Sequence, residues 1–464
     1  MAVATTGGVR DRRRAARERG GLVPGEQGGG APDARRWYQV DLSTTPGRLR
    51  LLIAVLVLLS LAWGGLATFT ANQYASAASG VVSVREPLSQ DALQIYQKLS
   101  DANDTAATAF LAGGQESATT QAGYQADIDA ANLAIEQAAA REGTGSGAAA
   151  TDLAALTTGV AQYTQEIGTA DAYNRAGVPL GAAYLREAND LMRSKLLPTA
   201  QNMYNTENAR LGATSAQATG LPLVAITLAL GLGVVITLLA ASRWLSRRTN
   251  RLLNPGVLAA GAALAVSLLW LAFAYAGGRS ELLTARAVGS APAQALAGVS
   301  ITVQQAHADE SLTLIDNQGD DTYQGLYMNL QQTLGPGPGT LLTAARTVAL
   351  ASGPGAANAL DAVAAAPAWF KAHGDVRRLD DAGNHSAAVS SVLGTTKAGT
   401  AGAQYTLLSR ELGAAMTAEQ GAFDTRARSG AAAFTGLEPG IIVAALVMAA
   451  GCAWGLNRRL REYR

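Results

Sequence analysis

Histidine is the side chain whose charge changes most readily near neutral pH, and this chain has three, His307, His373 and His385. His307 and Glu310 are three residues apart, so a helix carries them on one face. No second histidine stands at metal-ligand spacing, and the three read as seam or surface residues. Five aspartates, Asp316, Asp320, Asp321, Asp380 and Asp381, fall in two short stretches. Asp316-Asn317-Gln318-Gly319-Asp320-Asp321 lacks the spacing and the closing glutamate of an EF-hand loop. These acids read as solvated turns or as an electrostatic docking surface. The matching region of the first half carries Asn174 and Arg175 instead. Arg243, Arg247, Arg248, Arg251, Arg458 and Arg459 stand beside apolar runs, where they suit anionic lipid or an inner partner. Glycine-rich phosphate loops, zinc spacings and nucleophile elbows are absent. Cys452 is the only cysteine, so no disulfide forms within the chain. No catalytic residue, cofactor or metal is expected, and the chain reads as a non-enzyme.

The elements that position these residues are apolar runs and the long polar segments between them. Leu51–Phe69, Leu221–Ala241, Leu252–Gly278 and Gly440–Asn457 carry no charge and are long enough to cross a bilayer. Arginines gather before the first run, between the second and third, and after the fourth. The positive-inside rule then places both termini and the joint at 242–253 in the cytoplasm. Residues 1–47 form a disordered basic arm that cannot bury enough apolar surface to fold. Spans are expected at 48–70, 221–241, 254–278 and 440–457, and a cytoplasmic tail at 458–464. Segments 71–220 and 279–439 lie outside. The four uncharged runs hold no Asp, Glu, Lys, Arg or His, which argues against a transport pathway built by this chain alone. Only four of the 36 basic residues are lysine. That excess of arginine reflects base composition, not a nucleic-acid surface.

The two halves repeat. Thr45-Pro46-Gly47 matches Asn254-Pro255-Gly256, Pro87 matches Pro292, and Asp104 matches Asp309. Tyr163 matches Trp369, and Ala176-Gly177 matches Ala382-Gly383. Each outer segment reads as four helices; in the first they are Ala71–Leu111, Ser117–Arg141, Ala148–Tyr173 and Pro179–Ala218. Breaks in the second fall at Asn317–Gly319, Gly335–Gly339 with Ser352–Gly355, and Ala382–Asn384. Ala92, Tyr96, Leu99, Asn103, Ala106 and Phe110 recur in steps of four and three, the seam of a helical bundle. Asp101, Asn103, Asp104, Tyr124, Asp127, Tyr184, Arg186 and Glu187 put polar groups at seam-like positions, where they satisfy one another or hold a small ligand. The fold class is therefore an all-α integral membrane protein with four transmembrane helices and two tandem extracytoplasmic four-helix bundles.

This layout resembles the sensor half of bacterial chemoreceptors and sensor kinases, which act as dimers; two copies in one chain would make a covalent pseudo-dimer. Thr44-Thr45-Pro46-Gly47-Arg48-Leu49-Arg50, Asp101-Ala102-Asn103-Asp104-Thr105-Ala106-Ala107-Thr108-Ala109-Phe110-Leu111 and Gly181-Ala182-Ala183-Tyr184-Leu185-Arg186-Glu187-Ala188 resemble the actinobacterial GlnX-type membrane proteins. That resemblance implies an extracytoplasmic amino-acid-binding lipoprotein outside and the serine/threonine protein kinase G inside. The expected function is a sensor or adaptor of the cell membrane that relays amino-acid availability to such a kinase. The alternatives are a transporter-associated subunit working with a cytoplasmic ATPase, and a cell-envelope scaffold.

Overall fold

The computed structural model describes residues 45–113, 118–142, 147–249, 254–316, 321–335, 340, 343, 345–346 and 353–461. Residues 1–44 of the basic arm, Gly114, Asn317–Asp320, Pro336–Gly339, Ser352, Arg251 and the last three residues lie outside them, and the arm's expected last residues, 45–47, are the first turn of a helix. The chain divides into two compact units, Met1–Leu51 and Leu52–Arg464. Among its described residues the first unit holds only the opening of helix α1.

The described residues form helices and no strand. They are α1 (Thr45–Gly80), α2 (Glu86–Leu111), α3 (Ala118–Glu142), α4 (Ala148–Arg175), α5 (Leu180–Leu191), α6 (Leu197–Thr219) and α7 (Pro222–Thr249). The second half follows with α8 (Pro255–Thr284), α9 (Ala291–Ile315), α10 (Thr322–Leu334), α11 (Ala356–Asp381), α12 (His385–Leu393), α13 (Ala401–Ala432) and α14 (Leu437–Arg461). The helix ends have local causes. At Asn254 the side-chain oxygen accepts from Gly256 N at 3.1 Å and Pro255 opens the helix. Gly177 and Gly383 end the third helix of each bundle at φ 68° and 78°, a conformation that favours glycine. In both, the next residue bonds back across the turn, Val178 N to Tyr173 O and Asn384 N to Leu379 O. The repeat inferred from residue matches is thus repeated in turn chemistry.

Three π-helical turns interrupt the described helices, at Val81–Arg85, Met192–Leu196 and Ala285–Ser290. Each precedes a proline: Pro87, Pro198 or Pro292. A proline ring collides with the carbonyl four residues earlier, here Ser83, Ser194 or Val288. That residue lies inside the π turn in all three cases, where the widened coil relieves the clash. Through these turns the helices run on unbroken. Gly47–Leu111 and Pro255–Ile315, of 65 and 61 residues, run on without a break; Leu180–Arg247 and Ala401–Arg458, of 68 and 58, are interrupted at Gly220-Leu221 and at the turn ending in Gly436; each of the four has a window apolar enough to cross a membrane. The protein is a multi-pass membrane protein.

The apolar ends of these helices pack on one another. Trp63 donates to Thr227 O at 3.2 Å, and Thr70 meets the Thr227 hydroxyl at 2.7 Å. Between α8 and α14 the backbones touch: a Cβ at Gly256 would lie 2.3 Å from Gly451 O and 2.6 Å from Gly455 Cα. Small residues permit such approach where no water drives helices together. Two further boundaries differ from expectation. Ser242–Thr249 is the end of α7 and not a loop, because the stretch holds neither proline nor glycine to stop a helix. The fourth helix of the second bundle is broken between Leu393 and Ala401, where Gly394 and Gly399 flank a turn held by Thr400 donating to Gly394 O.

Candidate functional site

Helices α2 and α9, the first of each bundle, are buried nearly all round. A helix covered on every side belongs to a core, and these two cover each other. They run parallel and in register: Asp101 pairs with Gln304, Asp104 with His307, and Thr108 with Ser311, each separated by 203 residues. The apolar cores follow the same contact. Ile301, Ala308, Leu312 and Tyr323 pack into the core of the first bundle, and Leu93 into that of the second.

At the centre of the seam, His307 Nδ1 donates to Asp104 Oδ1 at 2.6 Å. Asp104 Oδ2 accepts from the Tyr405 hydroxyl at 2.5 Å, and the Tyr405 ring lies flat on His307 with centroids 3.6 Å apart. One turn further along α9, Glu310 accepts from His373 Nδ1 at 2.8 Å and from Trp369 Nε1 at 3.3 Å. His373 in turn stacks on Tyr327 at 3.6 Å. The matched aspartates Asp104 and Asp309 exchange partners across the seam. Asp104 is held by α13, the last helix of the second bundle, and Asp309 by Arg193 on the π turn of the first bundle's last helix, at 2.5 Å.

These groups are taken out of water, and that moves their proton affinities. Burial disfavours the His307 imidazolium, but the Asp104 charge and hydrogen bond, with Glu310 behind them, outweigh it and raise its pKa. Burial pushes Asp309 up to about 6 against the pull of Arg193. Asp101 rises to about 6 through burial, offset in part by Lys98. Removing one partner of a buried pair of this kind strands the other at a cost of about 3–5 kcal/mol. The network therefore holds the two bundles in one register and carries protons that can leave; it presents no activated nucleophile. Among the described residues no group of three or more His, Cys, Asp or Glu is placed to hold a metal ion.

Residues 77–216 match the family model described as an actinobacterial sensor domain. No curated protein and no solved structure matches the chain. The sensor-domain match runs from the end of α1 to near the end of α6, the whole first bundle. This likeness points to a sensing role for that bundle.

The residues singled out from sequence fall into three places. Asp316 accepts from Arg186 of the first bundle at 2.7 Å and so joins the seam. Asp380 takes Arg377 at 3.2 Å and His385 at 2.7 Å, Asp381 takes Arg377 at 3.1 Å, and Asp321 is exposed at the start of α10. Asp320 and Arg251 lie outside the described residues. Asn174 donates to Phe110 O at 2.9 Å, tying the first and third turns together, and Arg175 pairs with Asp171. Arg243, Arg247 and Arg458 are exposed on α7 and α14, and Arg248 and Arg459 are on the same helices. The polar set of the first bundle is largely spoken for. Lys98 bridges Asp101 and Asp127, both at 2.9 Å, Asn103 bonds Asn189 at 3.0 Å, and Tyr184 stacks on Tyr173. Arg193, Glu310 as a partner of His373, and Tyr405 were not legible as site residues. The spacing of His307 and Glu310 was the available signal, and it pointed at two different neighbours instead of one ligand.

Proposed function

We propose that the chain is a non-enzymatic transmembrane sensor or adaptor, relaying the state of an outer amino-acid-binding lipoprotein to a cytoplasmic serine/threonine kinase. One observation carries this reading: the first helix of the sensor-like bundle directly continues a helix fit to cross the membrane, and the last meets its span across Gly220-Leu221. A displacement at the far turns reaches the first span through α2 and α1 with no loop in which to dissipate. The seam passes it to the second bundle, because packed cores move between discrete arrangements and do not stretch. The arginine-rich ends of α7 and α14 form the inner face, with both termini cytoplasmic, and there a kinase and anionic lipid are met. The expected amino-acid signal and its lipoprotein carrier belong to this proposal.

Cross-linking in native membranes, followed by identification of what is captured, tests it. The expected result is an outer binding lipoprotein and an inner kinase whose substrates change when the chain is deleted. Capture of an ATPase without a kinase, or unchanged kinase substrates, overturns it. Neutralising Arg243, Arg247 and Arg248 together is expected to leave insertion intact and abolish the kinase response.

A further inference from the structure

Near the Gly113 and Gly177 turns, α3 and α4 part to leave a groove of about 280 Å³ in the first bundle. At about 30 Å³ per water it has room for about nine, the bulk of a small metabolite. Its floor is apolar, formed by Ala106, Phe110 and Leu185. Its rim carries Gln121, Gln125 and the Asp171–Arg175 ion pair. Tyr124 lines it as well, more than nine-tenths buried, with a hydroxyl that has no partner in the protein.

The second bundle differs in chemistry at the equivalent place. Ile167 corresponds to His373 at the same offset that relates Tyr163 to Trp369. Tyr124 lies beside Tyr163 as Tyr327 packs edge-on against Trp369. In the second bundle the His373 ring covers Tyr327 and bonds Glu310. In the first, Ile167 makes no such bond, and the α4 wall beside it drops to Gly168, open like Gly374 at the same place of the second copy. What differs between the copies here is the chemistry of the wall: apolar Ile167 beside the Asp171–Arg175 pair in the first, a hydrogen-bonded imidazole in the second. The groove's two charges are of opposite sign and one helical turn apart. A solute of one charge is attracted by one and repelled by the other, whereas a zwitterion gains from both.

We propose that this groove binds a small zwitterion, a free amino acid being the simplest, with its carboxylate on Arg175, its ammonium on Asp171 and its side chain over Phe110. The proposal deepens the sensing reading and rests on it. Titration calorimetry on the full chain in lipid nanodiscs, with each standard amino acid in turn and with acetate and methylammonium as single-charge probes, tests it. The expected result is saturable binding of at least one amino acid, at least about tenfold tighter than either probe. Gly168→Leu fills the groove and is expected to abolish that binding with the melting temperature held or raised. Arg175→Gln is expected to weaken it by about tenfold or more. Heat from no amino acid, or unchanged binding in Gly168→Leu, overturns the proposal. Either result leaves the relay reading standing, because a stimulus delivered by an outer protein is judged by the cross-linking alone.

Discussion

Replacing Asp104 by alanine leaves the His307 ring and the Tyr405 hydroxyl without their shared acceptor in a site closed to water. The expected loss is about 3–5 kcal/mol, read as a lower melting temperature of the full chain in detergent; Asp104→Asn, which keeps an acceptor, is expected to lose less. The same seam sets a pH dependence. The pKa of His307 is raised, so its contribution to stability is whole below about pH 6.5 and is lost as pH rises through the folded-state value. Asp101 and Asp309, raised to about 6, act in the same sense: their contribution is present below about pH 3.9 and is lost as pH climbs through 6. The charged and titratable groups facing His307 are Asp104 from α2, Glu310 from α9 and Tyr405 from α13. The melting temperature is therefore expected to fall between about pH 5 and pH 8, and His307→Gln to flatten the upper part of that fall; a rise across this range would contradict the assignment. At this scale the sequence offered side chains without partners. Asp104 matched Asp309, but its actual neighbours stand 203 and 301 residues away along the chain.

The π turns give the helices their phase. A π turn accommodates one residue more than regular helix, and each residue turns the helix by about 100°. Deleting Ser83 from within Val81–Arg85 is expected to convert that turn to regular α-helix and keep α1 and α2 in phase. Deleting Ala102 in the body of α2 rotates everything beyond it and takes Asp104 and Thr108 off the seam. Thermal melts of the two deletions separate these outcomes, a loss of about 3 kcal/mol from the restored Pro87 clash for the first and a larger one for the second; equal losses would refute the role of the π turn. Helix limits were largely legible, because Gly113, Gly177 and Gly383 mark ends that backbone chemistry enforces. The break at Gly394–Thr400 also had its signal in Gly394 and Gly399. It went unread because the first copy runs unbroken there, through the Met192–Leu196 turn.

In the molecule as a whole, each half is incomplete alone. The buried outer face of α2 has its cover on α9; within the second half, the Gly256 end of α8 packs on α14. Asn254 at the start of α8 also donates to Gly455 O at 2.9 Å, fastening the second half's entry to its exit. Residues 1–250 and 251–464 expressed as separate chains are expected to co-purify from membranes. Combining Asp104→Ala with Arg193→Ala is expected to part them, because both arms of the exchange are then lost; separation of the unmodified halves would refute the seam as their bond. Gly256→Leu is expected to act elsewhere, loosening α8 from α14 at a cost of about 1–3 kcal/mol while the outer seam holds.

Composition and periodicity alone settled that the protein is helical, crosses the membrane and repeats itself. These properties are local or additive: apolar length, turn residues and helical spacing act on neighbours within a few positions. Which faces meet was decided only by the tertiary structure. Two equivalent helices, each with a seam toward its own bundle, had a second face whose polar groups read as satisfying one another within that bundle or holding a small ligand. That face is buried because the copies lie parallel and in register, and the ion pairs across it join residues that no local rule brings together. The same packing set apolar Ile167 in the groove wall of one copy and a hydrogen-bonded His373 at the same place in the other, a difference the sequence carries without disclosing it.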